Sequence, residues 1–494
     1  MNTLVNTVFG QVEGFRQDGM TCFFGVPYAQ KPLGELRFRV PRMVEAWKGV
    51  LEAKGFAKDP MQANSVLGPE YFSEDCLYLN IWVPDNAGEK APVMLWVPGG
   101  AFVNGGSGAV KPEGPTTYDC GLIAKDTGCI LVSMSYRLNV FGFLNLNYLS
   151  DRFDDNVGMK DIIMSMRWVH EAISAFGGDP DNVTLFGESA GGEAITALML
   201  VDEAQPYYHK AIIESNCFGS FYTVEENKTV CELYLEAAGL PKDDPSGLLE
   251  LPYETLLAAG KALDAYAFRY QTGRCSFCPV VDGEFIKDFP TLADFSTFDK
   301  PVLIGTNFRE GNFQMMYTWP DVEKYAPLVV QRLDEERQKK VLGYYDLPDK
   351  HAFGEMLTDI MYTFPKIRFA EHLSRGKSQV YVYRFDYYTK ILEQLGLYCC
   401  HVTELLPLFE IKTLPFGGLY KGNEAEIRQI GQRMRRWWGA FARTGDPNVE
   451  GQAEWKPYTE AERNTMVINL EDRLVVDAEA LVRERYEGFE RILI

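Results

Sequence analysis

Long apolar runs are missing from this sequence of 494 residues, and basic residues, histidines and cysteine pairs are scarce. No stretch reaches the ~18 to 20 consecutive apolar residues that a membrane-spanning helix needs. The opening residues, MNTLVNTVFGQVEGF, lack the basic segment and apolar core of a secretory signal. We therefore expect no membrane span, a first strand at the start of the chain, and a cytoplasmic location.

The balance of charge is strongly acidic. The chain has 49 Lys and Arg against 69 Asp and Glu, giving a net charge of -20. Such a surface repels nucleic-acid phosphates and anionic lipids, so neither is an expected partner. Oligomeric state is not predicted by these properties.

Cysteines are few for the length and are scattered along the chain. Cys275 and Cys278 form a single C-x-x-C pair, but no second pair or nearby histidine completes a zinc site. Adjacent Cys399 and Cys400 do not supply that geometry either. We expect reduced thiols, no bound metal and no cofactor.

Apolar, strand-like segments alternate with helical patterns through the first 220 residues, at 77–83, 92–97, 129–136, 182–187 and 210–215. Between two of them, apolar residues recur at helical spacing: Ile162, Ile163, Met166, Val169, Ile173 and Phe176. This alternation predicts an α/β fold with a large, mostly parallel central sheet flanked by helices.

The region from about 220 to 400 has more helical and charged patterns, with strand-like segments at 301–306 and 379–385. We interpret its helices as cap-like insertions. No internal repeat or flexible linker divides the sequence. Residues 1–494 are therefore predicted to form a single catalytic domain.

The most informative motif is Gly187-Glu188-Ser189-Ala190-Gly191, between the apolar strand NVTLF and the helical run EAITALML. A serine nucleophile on a strained strand-to-helix turn needs small neighbours, and Gly187 and Gly191 supply them. The dipole of the following helix favours negative charge near Ser189. G-x-S-x-G alone is a weak signal, but this context makes Ser189 the predicted nucleophile.

A serine nucleophile needs a base, and the chain has five histidines. His170 lies in the predicted crossover helix, His351 and His372 lie in charged helical segments, and His209 precedes a strand. His401 comes late in the chain, as the base does in α/β folds that carry a serine nucleophile on a strand-to-helix turn.

A glycine-rich loop, VPGGAFVNGG at 97–106, directly follows a strand. It lacks the Gly-Lys-Ser/Thr ending of a phosphate-binding loop.

Several segments in order resemble type B carboxylesterases, the family of bacterial para-nitrobenzyl esterases, mammalian carboxylesterases and cholinesterases. They are FFGVPYAQKPLGELRF (23–38), SEDCLYLNIWVP (73–84), SYRLNVFGFL (135–144), FGGDPDNVTLFGESAGG (176–192), VVDGEF (280–285) and FARTGDPN (441–448). The resemblance covers nearly the whole chain. It implies the α/β-hydrolase fold and hydrolysis of carboxylic esters.

The resemblance also implies a catalytic triad of Ser189, His401 and Glu310. Glu310 matches the acid of the family's G-x-N-x-D-E-G-x-x-F pattern, in which Arg309 here replaces Asp. His401 matches the family's H-G-x-E-L pattern, with Val402 in place of Gly. The replacement at 402 bears on the geometry of the loop rather than on the role of the histidine.

By the same resemblance, the N–H groups of Gly100, Ala101 and Ala190 form the oxyanion hole, although Pro98 replaces the usual His. Proline stiffens the loop and offers no N–H. Phe102 and Glu188 are candidates for substrate contact, against the alternatives of packing and of a buried ionic role.

The resemblance predicts two ion pairs around the site, Arg37 with Glu74 and Arg137 with Asp161. Secreted relatives bond the cysteine equivalent to Cys76 to an upstream cysteine, but this sequence has none between 22 and 76. The missing bridge agrees with a bacterial cytoplasmic enzyme.

Three functions remain to be compared. The leading one is a serine esterase that forms an acyl-enzyme on Ser189. The second is a non-catalytic binding protein of the same fold, and Pro98 is the one feature in its favour. The third is an amidase or thioesterase that uses the same residues. The physiological ester and the acyl-chain preference are not readable from the sequence.

Overall fold

The computed structural model describes residues 3–62, 68–107, 117–270, 275–317, 321–411 and 416–489. The chain divides into two compact units, which are described separately. The first unit takes in Met1–Ala211, Phe221–Tyr266 and Cys275–Phe289. The second unit takes in Ile212–Ser220, Ala267–Arg274 and Pro290–Ile494.

The core of the first unit is built on the strand Ala91–Val97, all seven residues of which are buried. It pairs in parallel with Ile130–Met134 on one side and Gly178–Glu188 on the other. Tyr78–Pro84 pairs antiparallel with Ile130–Met134 and with Met20–Pro27. A strand that is apolar on both faces needs cover on both faces, which fits the central position of Ala91–Val97.

The other strands of this unit are Leu4–Thr7, Gly10–Glu13, Phe15–Gln17, Val50–Glu52, Asp59–Pro60, Phe72–Ser73, Tyr222–Thr223 and Val280–Val281. Its α-helices are Gly121–Thr127, Asn139–Phe143, Val157–Ala172, Ala190–Leu198, Val224–Ala237 and Tyr253–Tyr270, the last of which extends into the second unit. Short 3-10 turns occur at Gly34–Leu36, Pro69–Tyr71, Ile173–Phe176, Asp202–Tyr207 and Ser246–Leu249. The helices that follow residue 220 therefore begin within the first unit.

The predicted crossover helix is Val157–Ala172, followed by the 3-10 turn Ile173–Phe176. All six apolar residues that predicted it, from Ile162 to Phe176, are buried. The helical spacing therefore identified the face that packs into the core.

Both predicted ion pairs are confirmed. Arg137 Nη2 lies 2.7 Å from Asp161 Oδ1 and Arg137 Nε lies 2.8 Å from Oδ2, with side chains only 4% and 0% exposed. Arg37 Nε donates to Glu74 Oε2 at 2.7 Å. Arg37 also donates to the carbonyl of Leu251 at 2.9 Å, so it links the start of the chain to the segment that follows residue 220.

Replacing Asp161 with alanine is expected to destabilise the protein by about 3 to 5 kcal/mol, because the guanidinium of Arg137 would stay buried without its counter-charge. Chemical denaturation measures the loss. Glu171→Ala on the same helix is the matched control, since Arg167 and Glu171 are 50% and 34% exposed and such a pair contributes less than ~1 kcal/mol. Equal effects of the two variants would contradict the prediction.

The strands of the second unit are arranged around Val380–Phe385 and belong to the 11-stranded sheet of the protein. Val380–Phe385 pairs in parallel with Val302–Asn307 and with Asn464–Ile468. Arg473–Val476 pairs antiparallel with Asn464–Ile468 at the edge. In the strand Lys210–Glu214 the chain passes from the first unit to the second.

The α-helices of this unit are Asn312–Tyr317, Val322–Val329, Glu335–Leu342, Lys350–Thr358, Phe364–Arg375, Lys390–Gln394, Leu405–Phe409, Glu424–Thr444 and Ala480–Arg485. A π-helical turn, Asp359–Thr363, joins two of them, and a 3-10 turn covers Phe416–Gly418. Glu424–Thr444 buries a row of large apolar residues that includes Trp437, Trp438 and Phe441. It thus packs as an amphipathic helix.

Among the helices of the described residues, none is long and apolar enough to cross a membrane. None of the ten cysteines, all of which lie among the described residues, forms a disulfide, and only Cys275 is not buried. Burial raises the pKa of several of these thiols, including Cys22 to about 12, so they stay protonated near neutral pH.

Candidate active site

Ser189 lies at a sharp turn between the strand Gly178–Glu188 and the helix Ala190–Leu198 of the first unit. Its backbone has φ 56° and ψ -124°, a conformation that side chains other than glycine rarely adopt. A Cβ on Gly191 would lie 2.0 Å from the carbonyl oxygen of Val97, and one on Gly187 would lie 2.7 Å from it. The two glycines are therefore required by the close approach of the neighbouring strand.

The glycine-rich loop runs directly past the serine. A Cβ on Gly99 would lie 2.4 Å from the carbonyl oxygen of Glu188 and 3.2 Å from Ser189 Cβ. The next three residues have positive φ: 114° at Gly100, 56° at Ala101 and 58° at Phe102. A strained backbone held against the nucleophile is typical of a site that directs backbone groups at a reacting atom.

Two N–H groups of this loop are available to a ligand. Across the residues that the structure describes, the N–H groups of Gly100 and Ala101 donate no hydrogen bond, whereas the carbonyl of Gly100 accepts from Val103 and Asn104 at 3.0 and 2.9 Å. The N–H of Ala190 belongs to the first residue of a helix, which has no intrahelical acceptor. These three donors are the ones predicted for the oxyanion hole.

Pro98 is buried, and its carbonyl accepts a hydrogen bond of 2.8 Å from the Tyr136 hydroxyl. This hydrogen bond holds the loop at Pro98, just before the N–H groups of Gly100 and Ala101. The ring of Phe102 is fully buried and packs against Phe143 with centroids 4.7 Å apart. Glu188 is 2% exposed. Contact of Phe102 or Glu188 with substrate stays a prediction.

In the second unit the structure brings Glu310 and His401 together. Glu310 Oε2 and His401 Nδ1 are 2.8 Å apart, with the two side chains 0% and 7% exposed. The other carboxylate oxygen of Glu310 accepts from the backbone N–H of Asn307 at 2.7 Å. Both oxygens are therefore engaged, which fixes the carboxylate and orients the imidazole.

The loops that carry the acid and the histidine are joined through their backbones. The N–H of His401 donates to the carbonyl of Glu310 at 3.3 Å, and the N–H of Arg309 donates to the carbonyl of Cys399 at 3.0 Å. Val402 has φ 70°, in the left-handed region that a β-branched residue seldom occupies. This strain explains why the family pattern has glycine at 402.

Two aromatic rings flank His401. The ring of Tyr362 lies 5.2 Å from the imidazole centroid, and that of Phe313 lies 5.9 Å away. Tyr362 belongs to the π-helical turn Asp359–Thr363, and its hydroxyl accepts a hydrogen bond from Gln314. π-helical turns are often found at functional sites. Tyr362 could not be predicted from the sequence, because an aromatic residue in a helical segment is usually core.

A second buried carboxylate lies near Glu310. Glu404 accepts hydrogen bonds from the Ser215 hydroxyl and from the side-chain amide of Asn307. Burial and the charge of Glu310 raise the pKa of Glu404 to about 7. Asn307 thus links both carboxylates, through its backbone N–H to Glu310 and through its side chain to Glu404. No local pattern predicts this network, and the one signal for Glu404 is that it matches the E of the family's H-G-x-E-L pattern.

A third carboxylate, Glu214, is fully buried and accepts a hydrogen bond from the indole N–H of Trp438. Burial raises the pKa of Glu214 to about 8 from its ordinary 4.5. The folded chain therefore holds a proton here that the unfolded chain loses above pH ~4.5. The contribution of Glu214 to the free energy of unfolding therefore falls as pH rises from ~4.5 to 8 and is constant above pH 8.

Glu214→Gln should remove this loss. We expect the stability of the variant relative to wild type to be greater at pH 8.5 than at pH 5, by on the order of 2 to 4 kcal/mol. Thermal denaturation at both values measures the difference, which includes the loss of the repulsion between Glu214 and Glu404 that helps to raise the pKa of Glu214. Glu487→Gln, at an exposed position, is the control. A relative stability that does not change with pH would contradict the assignment.

The model of the carboxylesterase family matches residues 1–486. The chain belongs to the carboxylesterase family. It is 32% identical to the para-nitrobenzyl esterase of Bacillus subtilis (strain 168), over 98% of each chain. It is 31% identical to the bile salt-activated lipase of Bos taurus, over 94% of this chain and 83% of the lipase.

Solved structures agree. A thermophilic PNB esterase superposes with a TM-score of 0.85 at 30% identity, covering 98% of this chain and 100% of the other. This carboxylesterase therefore has the α/β-hydrolase fold, with a large mixed sheet flanked by helices. It is a serine-dependent carboxylic ester hydrolase, as the sequence predicted.

Proposed function

We propose that this carboxylesterase cleaves esters through an acyl-enzyme on Ser189, with His401 as the base and Glu310 as the acid that orients it. The observation that carries the proposal is the 2.8 Å hydrogen bond between the buried Glu310 and His401 Nδ1. It leaves the other ring nitrogen, Nε2, as the one to receive the proton of Ser189. The strained backbone of Ser189 supports its role as nucleophile.

The reaction then proceeds in two halves. Ser189 Oγ attacks the ester carbonyl while its proton passes to Nε2 of His401, and the same proton is given to the leaving alcohol as the carbon–oxygen bond breaks. Water next loses a proton to His401 and attacks the acyl-enzyme, releasing the carboxylic acid and restoring Ser189. Glu310 stabilises the imidazolium that forms in each half.

Negative charge on the carbonyl oxygen is stabilised by the N–H groups of Gly100, Ala101 and Ala190. Two observations support this assignment. Across the described residues the N–H groups of Gly100 and Ala101 have no protein acceptor, and the N–H of Ala190 lies at the start of a helix. One such donor contributes about 3 to 4 kcal/mol to the transition state. No cofactor or metal is needed for this chemistry.

We further propose that residues 1–494 act as one catalytic domain, with helices between about 220 and 400 as cap-like insertions. We also propose that Glu188 and Phe102 lie on the substrate side of Ser189.

The absence of disulfides among the ten cysteines and the likeness to a Bacillus subtilis enzyme support a bacterial cytoplasmic protein. Because that relative is named a para-nitrobenzyl esterase, p-nitrobenzyl esters are suitable as first substrates to test.

The test combines turnover with labelling of the nucleophile. We expect one equivalent of a fluorophosphonate to bind per chain. The rate of hydrolysis of p-nitrophenyl esters, measured from acetate to laurate, should fall in proportion to the fraction of the protein that is labelled. Mass spectrometry should find the adduct on the peptide that carries Ser189. Labelling of another residue would refute the assignment, and a folded chain that neither reacts nor turns over would support the binding-protein alternative. Cleavage of p-nitroanilides or thioesters at similar rates would widen the substrate class.

A further inference from the structure

The second unit contains a surface cleft of about 520 Å³, lined in part by residues that come just before Glu310 and His401 in the chain. Its walls include Phe308, Arg309, Asp349, Glu355, Tyr388 and Tyr398. Glu310 and His401 do not line it, and they are 0% and 6% exposed. The volume is within the range of sites that hold small organic molecules. Nothing in the proposed ester hydrolysis uses this cleft.

One wall of the cleft is aromatic and partly exposed. Phe308 is 41% exposed and Tyr388 is 40% exposed. Tyr388 is held edge-on against Tyr398, with ring centroids 5.2 Å apart. Exposed aromatic carbon on a concave surface favours a planar, apolar group of a ligand.

Two arginines contact the ring of Phe308, and one of them is Arg309, whose guanidinium lies 4.8 Å from the ring centroid. The guanidinium of Arg384 lies 4.4 Å from the ring centroid of Phe308. Arg384 is itself held by two hydrogen bonds to Asp386, at 2.7 and 2.8 Å. The aromatic wall is therefore set before a ligand arrives, which lowers the entropy cost of binding.

The other recognition element is Arg309. Its guanidinium lies 3.6 Å from Glu355 Oε2, beyond the range of a hydrogen bond, and its side chain is 36% exposed. Within the described part of the chain, this side chain makes no hydrogen bond. Glu355 is instead bonded by Arg485 at 3.0 Å. The five N–H donors of Arg309 therefore remain available for a ligand.

The remaining acid in the cleft is also compensated. The carboxylate of Asp349 accepts from the N–H of Ala352 at 2.9 Å and caps the helix Lys350–Thr358. The positive end of the helix dipole offsets part of its charge. Arg309, at the position where the family pattern has Asp, thus pairs among the described residues only with Glu355, at 3.6 Å, and shares that carboxylate with Arg485.

We propose that this cleft is a second ligand site that binds an aromatic carboxylate. The planar fork of Arg309 pairs with the two carboxylate oxygens, which is the geometry that arginine recognises best. The ring of the ligand lies against the exposed faces of Phe308 and Tyr388. Both parts of the ligand are needed, because neither a lone surface arginine nor a small aromatic patch binds tightly by itself.

Direct binding tests the proposal better than activity does, because Arg309 is the chain neighbour of Glu310. Calorimetric titration with 1-naphthoate should show one site in wild type. Arg309→Gln should raise the Kd at least tenfold, and Arg309→Asp, which restores the residue of the family pattern, should raise it further. Arg337→Gln, at a 55% exposed arginine of the same unit, should leave the Kd within about twofold.

Two further ligands separate the charge from the ring. Inorganic phosphate lacks the ring and 1-naphthalenemethanol lacks the charge, so each should bind at least tenfold more weakly than 1-naphthoate. Arg309→Lys should give an intermediate Kd, because an ammonium keeps the charge but loses the fork.

The proposal is overturned if wild type does not bind 1-naphthoate, if phosphate or the alcohol binds as tightly, or if Arg309→Gln keeps the wild-type Kd. The last result would place any observed binding elsewhere, including at Ser189. Circular dichroism and the Tm establish that the variant is folded. If it is not, Tyr388→Ala at the exposed aromatic wall provides the same test, with the same expected tenfold loss.

Discussion

Replacing Ser189 with alanine is expected to lower kcat for p-nitrophenyl acetate by about 10⁴-fold or more, with no change of fold. The hydroxyl is the atom that forms the acyl-enzyme, and no other group can take its place at this turn. Residual turnover would come only from binding and from the oxyanion donors, which alone give ~10³ to 10⁴ over water. Initial rates with purified protein measure the loss.

The fold of the variant should survive because alanine keeps the Cβ of Ser189 and adds no atom at this crowded turn, where a Cβ on Gly99 would lie 3.2 Å from that of Ser189. Ser174→Ala is the matched control, since Ser174 is exposed in the turn Ile173–Phe176 of the same unit. It should keep the wild-type rate. More than about 1% of wild-type kcat in Ser189→Ala, with a contaminating esterase excluded, would show that another residue is the nucleophile.

The strands of the sheets could be predicted from sequence because their signal is local. Segments 92–97 and 301–306 are short runs of apolar residues, and they form the strands Ala91–Val97 and Val302–Asn307. The turn at Ser189 was also local, since a strand, two glycines and a helix lie within a few residues. Such features depend on neighbours in the chain and are readable before the fold is known.

Long-range pairs were found only where the family pattern supplied both partners. Arg137 with Asp161 is an example, and so is the contact of Glu310 with His401, which are 91 residues apart. The catalytic roles of Glu310 and His401 stay predictions, but their contact is present. Spacing alone could not have chosen Glu310 among 69 acidic residues.

The features that sequence did not predict are those made by distant segments without a shared motif. Asn307 bonds Ser215 across 92 residues and Glu404 across 97, and no local pattern encodes such a network. The π-helical turn that brings Tyr362 to His401 reads as ordinary helix in the sequence. The cleft beside Arg309 likewise depends on how Lys350–Thr358 packs in the second unit.

Replacing Glu310 with glutamine tests whether the buried acid acts through its charge. The side chains have the same shape, so the variant should fold. In wild type, one carboxylate oxygen accepts from the N–H of Asn307 at 2.7 Å and the other faces His401 Nδ1 at 2.8 Å. Glutamine has one oxygen for these two tasks, and either orientation fails at one of them.

If the amide oxygen stays on Asn307, the NH₂ group faces Nδ1 and selects the tautomer with the proton on Nε2. That tautomer cannot accept the proton of Ser189. If the amide is reversed, its NH₂ group meets the N–H of Asn307, and two donors oppose each other in a buried site. In both cases the imidazolium loses its counter-charge. We therefore expect kcat to fall about 10³-fold to 10⁴-fold.

The expected loss belongs to kcat rather than to substrate binding, because Glu310 is fully buried and acts through His401. Steady-state kinetics with p-nitrophenyl acetate, and the rate of fluorophosphonate labelling of Ser189, should fall together. Glu460→Gln, which removes an exposed carboxylate paired with Arg375, should change neither. A kcat for Glu310→Gln within tenfold of wild type would mean that the histidine is oriented by another group, and Glu404, the other carboxylate bonded to Asn307, would then be the one to replace.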